Sequence, residues 1–130
     1  MKTHPSIFIA DDDEDDITLL KANLEDRNNH TNCVTFHNGL VLINYLVANP
    51  EKVPDLIVLD INMPIKNGFV TLHELKSHPE LKKIPVVMLS GSSRQEDIHR
   101  CEQMGCHSYL VKPDTTKGHI ELAERLLLLA

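Results

Sequence analysis

Two adjacent carboxylates at Asp11 and Asp12, a lone carboxylate at Asp60, a hydroxyl at Ser90 and an amine at Lys112 each follow directly on a short apolar run. Carboxylates crowded within a few ångströms repel one another, which raises their pKa values unless a cation sits between them. Oxygen-only ligands select a hard divalent ion, Mg²⁺ rather than zinc. A hydroxyl and an ammonium at the same place suit the oxygens of a phosphoryl group. The set therefore predicts a site for a tetrahedral anion beside Mg²⁺, with one carboxylate free to act as nucleophile. Asp60, the single acid at the end of its run, is the best nucleophile.

The runs that must position these groups are Ser6–Ala10 (SIFIA), Leu56–Leu59 (LIVL), Val86–Leu89 (VVML) and Ser108–Val111 (SYLV). Short segments rich in Ile, Val and Leu read as strands buried on both faces. Parallel strands would bring their carboxyl ends to one edge of a sheet, where open α/β folds bind ligands. Between them lie segments of helical spacing. Ile17, Leu20 and Leu24 repeat up to about Arg27, and further helices are predicted over Leu40–Val47, Phe69–Ser77, Arg94–Met104 and His119–Leu129. Cys33–Phe36 reads as one more strand. Asn28-Asn29, Asn49-Pro50, His78-Pro79 and Gly105 punctuate the series. Five βα units without a linker predict a single α/β domain over residues 1–130, built on a doubly wound five-stranded parallel sheet. Right-handed crossovers favour the flavodoxin-like order 2-1-3-4-5.

Composition narrows the function classes. At 42% hydrophobic and 25% charged residues the chain is ordinary for a globular protein. No apolar stretch approaches the roughly 18 residues of a membrane span, and MKTHPSIFIA lacks the apolar core of a signal peptide. Six consecutive acids, Asp11 to Asp16, account for the whole net charge of −6. Without a basic stripe, direct nucleic-acid binding is not expected. Glu14, Asp15 and Asp16 read as the solvated, acid-rich start of a helix. Three cysteines (Cys33, Cys101, Cys106) cannot all pair, and nothing points to an oxidising compartment. The expected location is cytoplasmic.

The segments IFIADDDEDD, PDLIVLDINMPIKNG, IPVVMLSGSS and GCHSYLVKP, in that order, resemble the receiver domain of two-component response regulators over nearly the whole chain. The resemblance implies a stand-alone receiver with no output domain. Asp60 would accept a phosphoryl group from the phosphohistidine of a sensor kinase or phosphotransfer protein. Asp11 and Asp12 would hold Mg²⁺ together with Asp60 and the backbone carbonyl of Asn62. Lys112 would pair with a phosphoryl oxygen, and Ser90 would hydrogen-bond the group once formed. Tyr109 occupies the aromatic switch position, expected to turn inward when Ser90 moves. The readout surface would run from about Arg94 to Ala130. The extended run Asp13 to Asp16 resembles stand-alone receivers that pair with phytochrome-type or hybrid histidine kinases.

Each role has a plainer competitor: Lys112 as a surface lysine, Ser90 as a turn cap, Tyr109 as simple packing, Asn62 as a loop-shaping residue. Leu126 to Leu129 either extends a core-facing stripe into a homodimer contact or ends a buried C-terminus, and the second is preferred. Serine stands at position 90 where threonine is commoner in the family, and Asp114 follows Pro113 where an apolar residue is usual. A flavin carrier would need a Ser/Thr/Gly-rich phosphate loop in place of the acids, and an aspartate phosphatase a second acid where Asn62 stands. A phosphorylation-independent module, a pseudo-receiver, usually lacks an acid or the lysine, and here the set is intact. The chain is thus read as a phosphoacceptor signalling protein whose only catalysis is its own phosphorylation and dephosphorylation.

Overall fold

The alternation of apolar runs and helical repeats resolves, in a computed structural model that describes residues 2–130, into ten elements. They are β1 (Ser6–Ala10), α1 (Glu14–Arg27), β2 (Asn32–Phe36), α2 (Gly39–Ala48), β3 (Leu56–Leu59), α3 (Gly68–Ser77), β4 (Val86–Ser90), α4 (Gln95–Gln103), β5 (Ser108–Val111) and α5 (Thr116–Leu129). All strands are parallel, in the order β2-β1-β3-β4-β5. The doubly wound, flavodoxin-like order expected from the sequence is the one observed.

The period of two along each strand divides the core into two layers. Phe8, Ala10, Ile57, Leu59 and Met88 pack with α2, α3 and Cys101 of α4. Ile7, Ile9, Leu56, Val58, Val87 and Leu89 pack on the other face, against Leu20 and Leu24 of α1 and Ala123, Leu126 and Leu127 of α5. Strands β1, β3 and β4 are therefore nearly continuous apolar runs, because both their faces are covered. β5 departs from the expectation of two buried faces. As an edge strand it is only partly buried, and Val111 is exposed.

Side-chain caps define where four of the five described helices begin, α4 being the exception. Asp13 accepts from the N–H groups of Asp15 and Asp16, Asn38 from Val41, Asn67 from Val70 and Thr115 from Gly118. Each satisfies a first-turn donor that has no partner within its helix. The Thr115 cap starts α5 at Thr116, ahead of the predicted His119.

The end of α4 is a Schellman motif. Gly105, at φ +86°, donates to Glu102, and Cys106 donates to Cys101. That turn brings the Cα atoms of Cys101 and Cys106 to 5.5 Å, and the two residues form a disulfide that leaves Cys33 free. The sequence reading, which saw no oxidising context, did not anticipate this bridge.

Both ends of the described chain lie at the amino edge of the sheet. Lys2 Nζ is 2.6 Å from Asp55, just ahead of β3, and Arg27 at the end of α1 pairs with Glu124 of α5 at 3.6 Å.

Candidate functional site

The carboxyl edge of the sheet gathers the acids. Asp11 leaves β1 with its N–H donating to the Phe36 carbonyl, and its Oδ1 accepts the Asp13 N–H at 3.0 Å. Asp60 leaves β3 with its N–H donating to the Ala10 carbonyl at 3.0 Å, which seats it beside Asp11. Asp11 and Asp60 are buried and Asp12 is exposed. One oxygen from each of the three carboxylates lies within 4.8 Å of the others.

Lys112 crosses from β5 to meet them. Its N–H donates to the Ser90 carbonyl at 2.7 Å, so the end of β5 is held against the end of β4. Its Nζ stands 2.9 Å from Asp11 Oδ2, 2.8 Å from Asp16 Oδ2 and 3.7 Å from Asp60 Oδ2. Burial disfavours this ammonium, but the hydrogen bonds to Asp16 and Asp11 outweigh it and hold its pKa above the ordinary lysine value. Asp60 shows the opposite balance. Burial, then the neighbouring Asp11 charge, push its carboxyl up to about 6, with Lys112 and the Ile61 N–H pulling down. One ammonium does not neutralise three crowded carboxylates, and an all-oxygen donor set of this kind suits a hard divalent cation.

Ser90 is fully buried at the end of β4, and its hydroxyl accepts the Ser92 N–H at 3.1 Å. The loop beyond it is tied down by Ser92 Oγ, which donates to Asp97 at 3.0 Å, and by the Arg94–Asp97 pair. Tyr109 is half-buried and packs on the core layer that α2 and α3 cover, and its hydroxyl donates to the Ser92 carbonyl. The Asn62 side chain is exposed, in the loop that joins Asp60 to α3.

The structure thus brings Asp11, Asp12, Asp60 and Lys112 to one point, with Ser90 held to Lys112 through the backbone. It adds one residue that the sequence reading assigned to solvent, Asp16. A usable signal was present. Asp16 lies four residues before the buried Leu20 and so shares its inward face.

The sequence matches the response regulator receiver domain family over residues 7–123. It is 29% identical over 122 residues to the response regulator Rcp1 of Synechocystis sp., covering 91% of this chain and 83% of that one. It is 30% identical over 122 residues to the polar-differentiation response regulator DivK of Brucella anthropi, covering 94% and 95%. Among solved structures, the phosphorylated cyanobacterial phytochrome response regulator RcpA superposes with a TM-score of 0.87 at 34% identity, covering 95% of this chain and 91% of that chain. The Mn²⁺-bound form of Rcp1 superposes with a TM-score of 0.82 at 28% identity, covering 94% and 91%.

Proposed function

The chain belongs to the response regulator receiver domain family, and from that premise we propose that Asp60 accepts a phosphoryl group from a phosphohistidine donor. The observation that carries this reading is the convergence of Asp60 with Asp11, Asp12 and Lys112 at one strand edge. An Asp60 carboxylate oxygen attacks phosphorus in line. The P–N bond breaks, and its electron pair leaves with the donor imidazole. Burial beside Asp11 keeps this carboxylate poorly solvated, so little hydration is lost when it bonds to phosphorus. Lys112 supplies a positive charge to the spreading phosphoryl oxygens. The Ser90 hydroxyl lies beside the site and gains a second partner only when the phosphoryl group is present. That differential contact favours one loop position over another, and Tyr109 follows the loop.

Asp11, Asp12 and Asp60, with the Asn62 carbonyl, would hold the divalent ion, which we assign as Mg²⁺. When bound, it neutralises the carboxylates and the charge of the transferred group. The Mn²⁺-bound form of Rcp1 supports a divalent ion in this fold, and the three crowded carboxylates offer the place for it in this chain.

The protein is a signalling protein. In our reading it turns over no substrate besides its own acyl phosphate, and its phosphodonor is a sensor histidine kinase or a phosphotransfer protein. The RcpA likeness supports a kinase of the phytochrome-linked kind. This chain spans 83% of Rcp1 and 95% of DivK. Among the described residues no helix is long and apolar enough to cross a membrane. A cytoplasmic site of action follows from the proposed donors. The sequence carries no basic stripe to recommend nucleic acid as a target, and Leu128, exposed on α5, is where a homodimer contact would form.

Intact-mass measurement after incubation with acetyl phosphate tests the reading. Wild type gains one phosphoryl group only with Mg²⁺, and Asp60→Asn gains none. A folded wild type that binds Mg²⁺ and gains nothing would instead be a phosphorylation-independent binding module.

A further inference from the structure

We propose that Asp16 is a positioning residue for this site: it competes with the phosphoryl group for Lys112 and thereby sets how readily the phosphorylated state forms. The inference rests on Asp60 being the phosphoacceptor. Its basis is the unequal sharing of one ammonium. Nζ of Lys112 is 2.8 Å from Asp16 but 3.7 Å from Asp60, outside hydrogen-bond reach.

Asp16 is not a loose surface acid that wandered into range. The Asp13 cap accepts the Asp16 N–H at 3.1 Å, which fixes the first turn of α1 against the sheet edge. The inward face that carries Leu20 then directs the Asp16 carboxylate at Lys112. An ammonium has three donors, and two are committed to Asp16 and Asp11. One donor is left for an oxygen on phosphorylated Asp60, and any second bond to the phosphoryl group must be taken from Asp16 or Asp11.

Two effects then act in the same direction. The Asp16 pair is strongest in the unphosphorylated state and weakens as Lys112 shifts, so it is a differential contact favouring that state. The Asp16 charge also faces a group that brings close to two further negative charges. Asp16 has 39% of its side chain exposed, so water screens part of both effects.

Beryllium trifluoride, a phosphoryl mimic, provides the test when titrated with Mg²⁺ and followed by the Ser90 and Lys112 amide resonances. Asp16→Asn and Asp16→Ala should each tighten binding about two- to fivefold, and Asp16→Glu should stay near wild type. In a Lys112→Met background the Asp16→Asn effect should shrink, because only the direct charge repulsion remains once the ammonium is gone. If that background binds no mimic, phosphoryl uptake from acetyl phosphate completes the cycle. Equal or weaker binding by Asp16→Asn overturns the proposal, and so does an undiminished shift without Lys112. A wild-type chain that binds no mimic would instead count against Asp60 as acceptor.

Discussion

The Tyr109 hydroxyl donates a hydrogen bond to the Ser92 backbone carbonyl at 2.7 Å, which ties the edge strand β5 to the loop leaving Ser90. The ring is thus anchored to the very segment that the phosphoryl group is proposed to move.

Tyr109→Phe keeps the ring and deletes the tie. Stability should fall by about 1 kcal/mol, the usual worth of one such bond. Amide exchange should quicken over residues 91–94, while phosphoryl uptake on Asp60 persists. Unchanged protection in that loop would mean that the hydroxyl restrains nothing.

Gly68 stands where a side chain has no room. A Cβ there would collide with the Asp60 carbonyl oxygen and lie 2.9 Å from the Ile61 Cα, both backbone atoms that cannot swing aside. Gly68→Ala should therefore cost about 1–3 kcal/mol and slow phosphorylation by displacing the Asp60 loop. Gly91→Ala is the control, because nothing lies within 4 Å of its added methyl. Equal unfolding midpoints for the two variants would contradict the steric argument.

Thiol counting tests the cysteine arrangement. Burial, then the Glu25 charge, push the Cys33 thiol up to about 11, with Lys21 pulling weakly down. Little thiolate exists at neutral pH, so native oxidised protein should react only slowly with a disulfide reagent at pH 7 to 8. Unfolding without reductant should reveal one thiol, and unfolding with reductant three. Three thiols in the unreduced, unfolded chain would show that Cys101 and Cys106 are not joined in solution.

Asp55 makes stability depend on pH at the acid end. Burial tends to raise its pKa, but hydrogen bonds from Lys2 and the Ser6 N–H and the Lys2 charge prevail and lower it. A folded pKa below the unfolded one gives stability that is present above the unfolded value, near 4, and is lost as pH falls through the folded value. Lys2 is more than half exposed, so the contribution should be under about 1 kcal/mol. Urea unfolding across this range should show a shallower acid decline for Asp55→Asn than for wild type. Parallel declines would remove Asp55 from the account.

Most of the fold was legible because three strands are covered on both faces, which leaves uninterrupted apolar runs with an acid or hydroxyl at each end. Asp11, Asp60 and Ser90 stood out for the same reason, and Lys112 because its edge strand is apolar too. The misreadings have local causes. Ser108–Val111 has the same look as a central strand, and only topology reveals it as an edge. The first turn of α5, with Lys117 and Gly118, has no apolar periodicity, and the Thr115 hydroxyl starts it instead. Asp16 was hidden by its company, since in a run of six acids composition alone cannot tell the inward one from its solvated neighbours. The Cys101–Cys106 bridge depends on the left-handed Gly105, whose turn brings together residues that an unbroken helix would separate.

The placement of both ends of the described chain at the amino edge, marked by the Lys2–Asp55 and Arg27–Glu124 pairs, makes the molecule permissive on one side. Tags or fused domains joined at either end emerge on the far side from Asp60. New termini opened between α1 and β2 or between α3 and β4, with the old ends linked, would cut only that same side. Circularly permuted chains of this design should still take up phosphate, whereas cuts in the β1–α1 or β3–α3 loops should not.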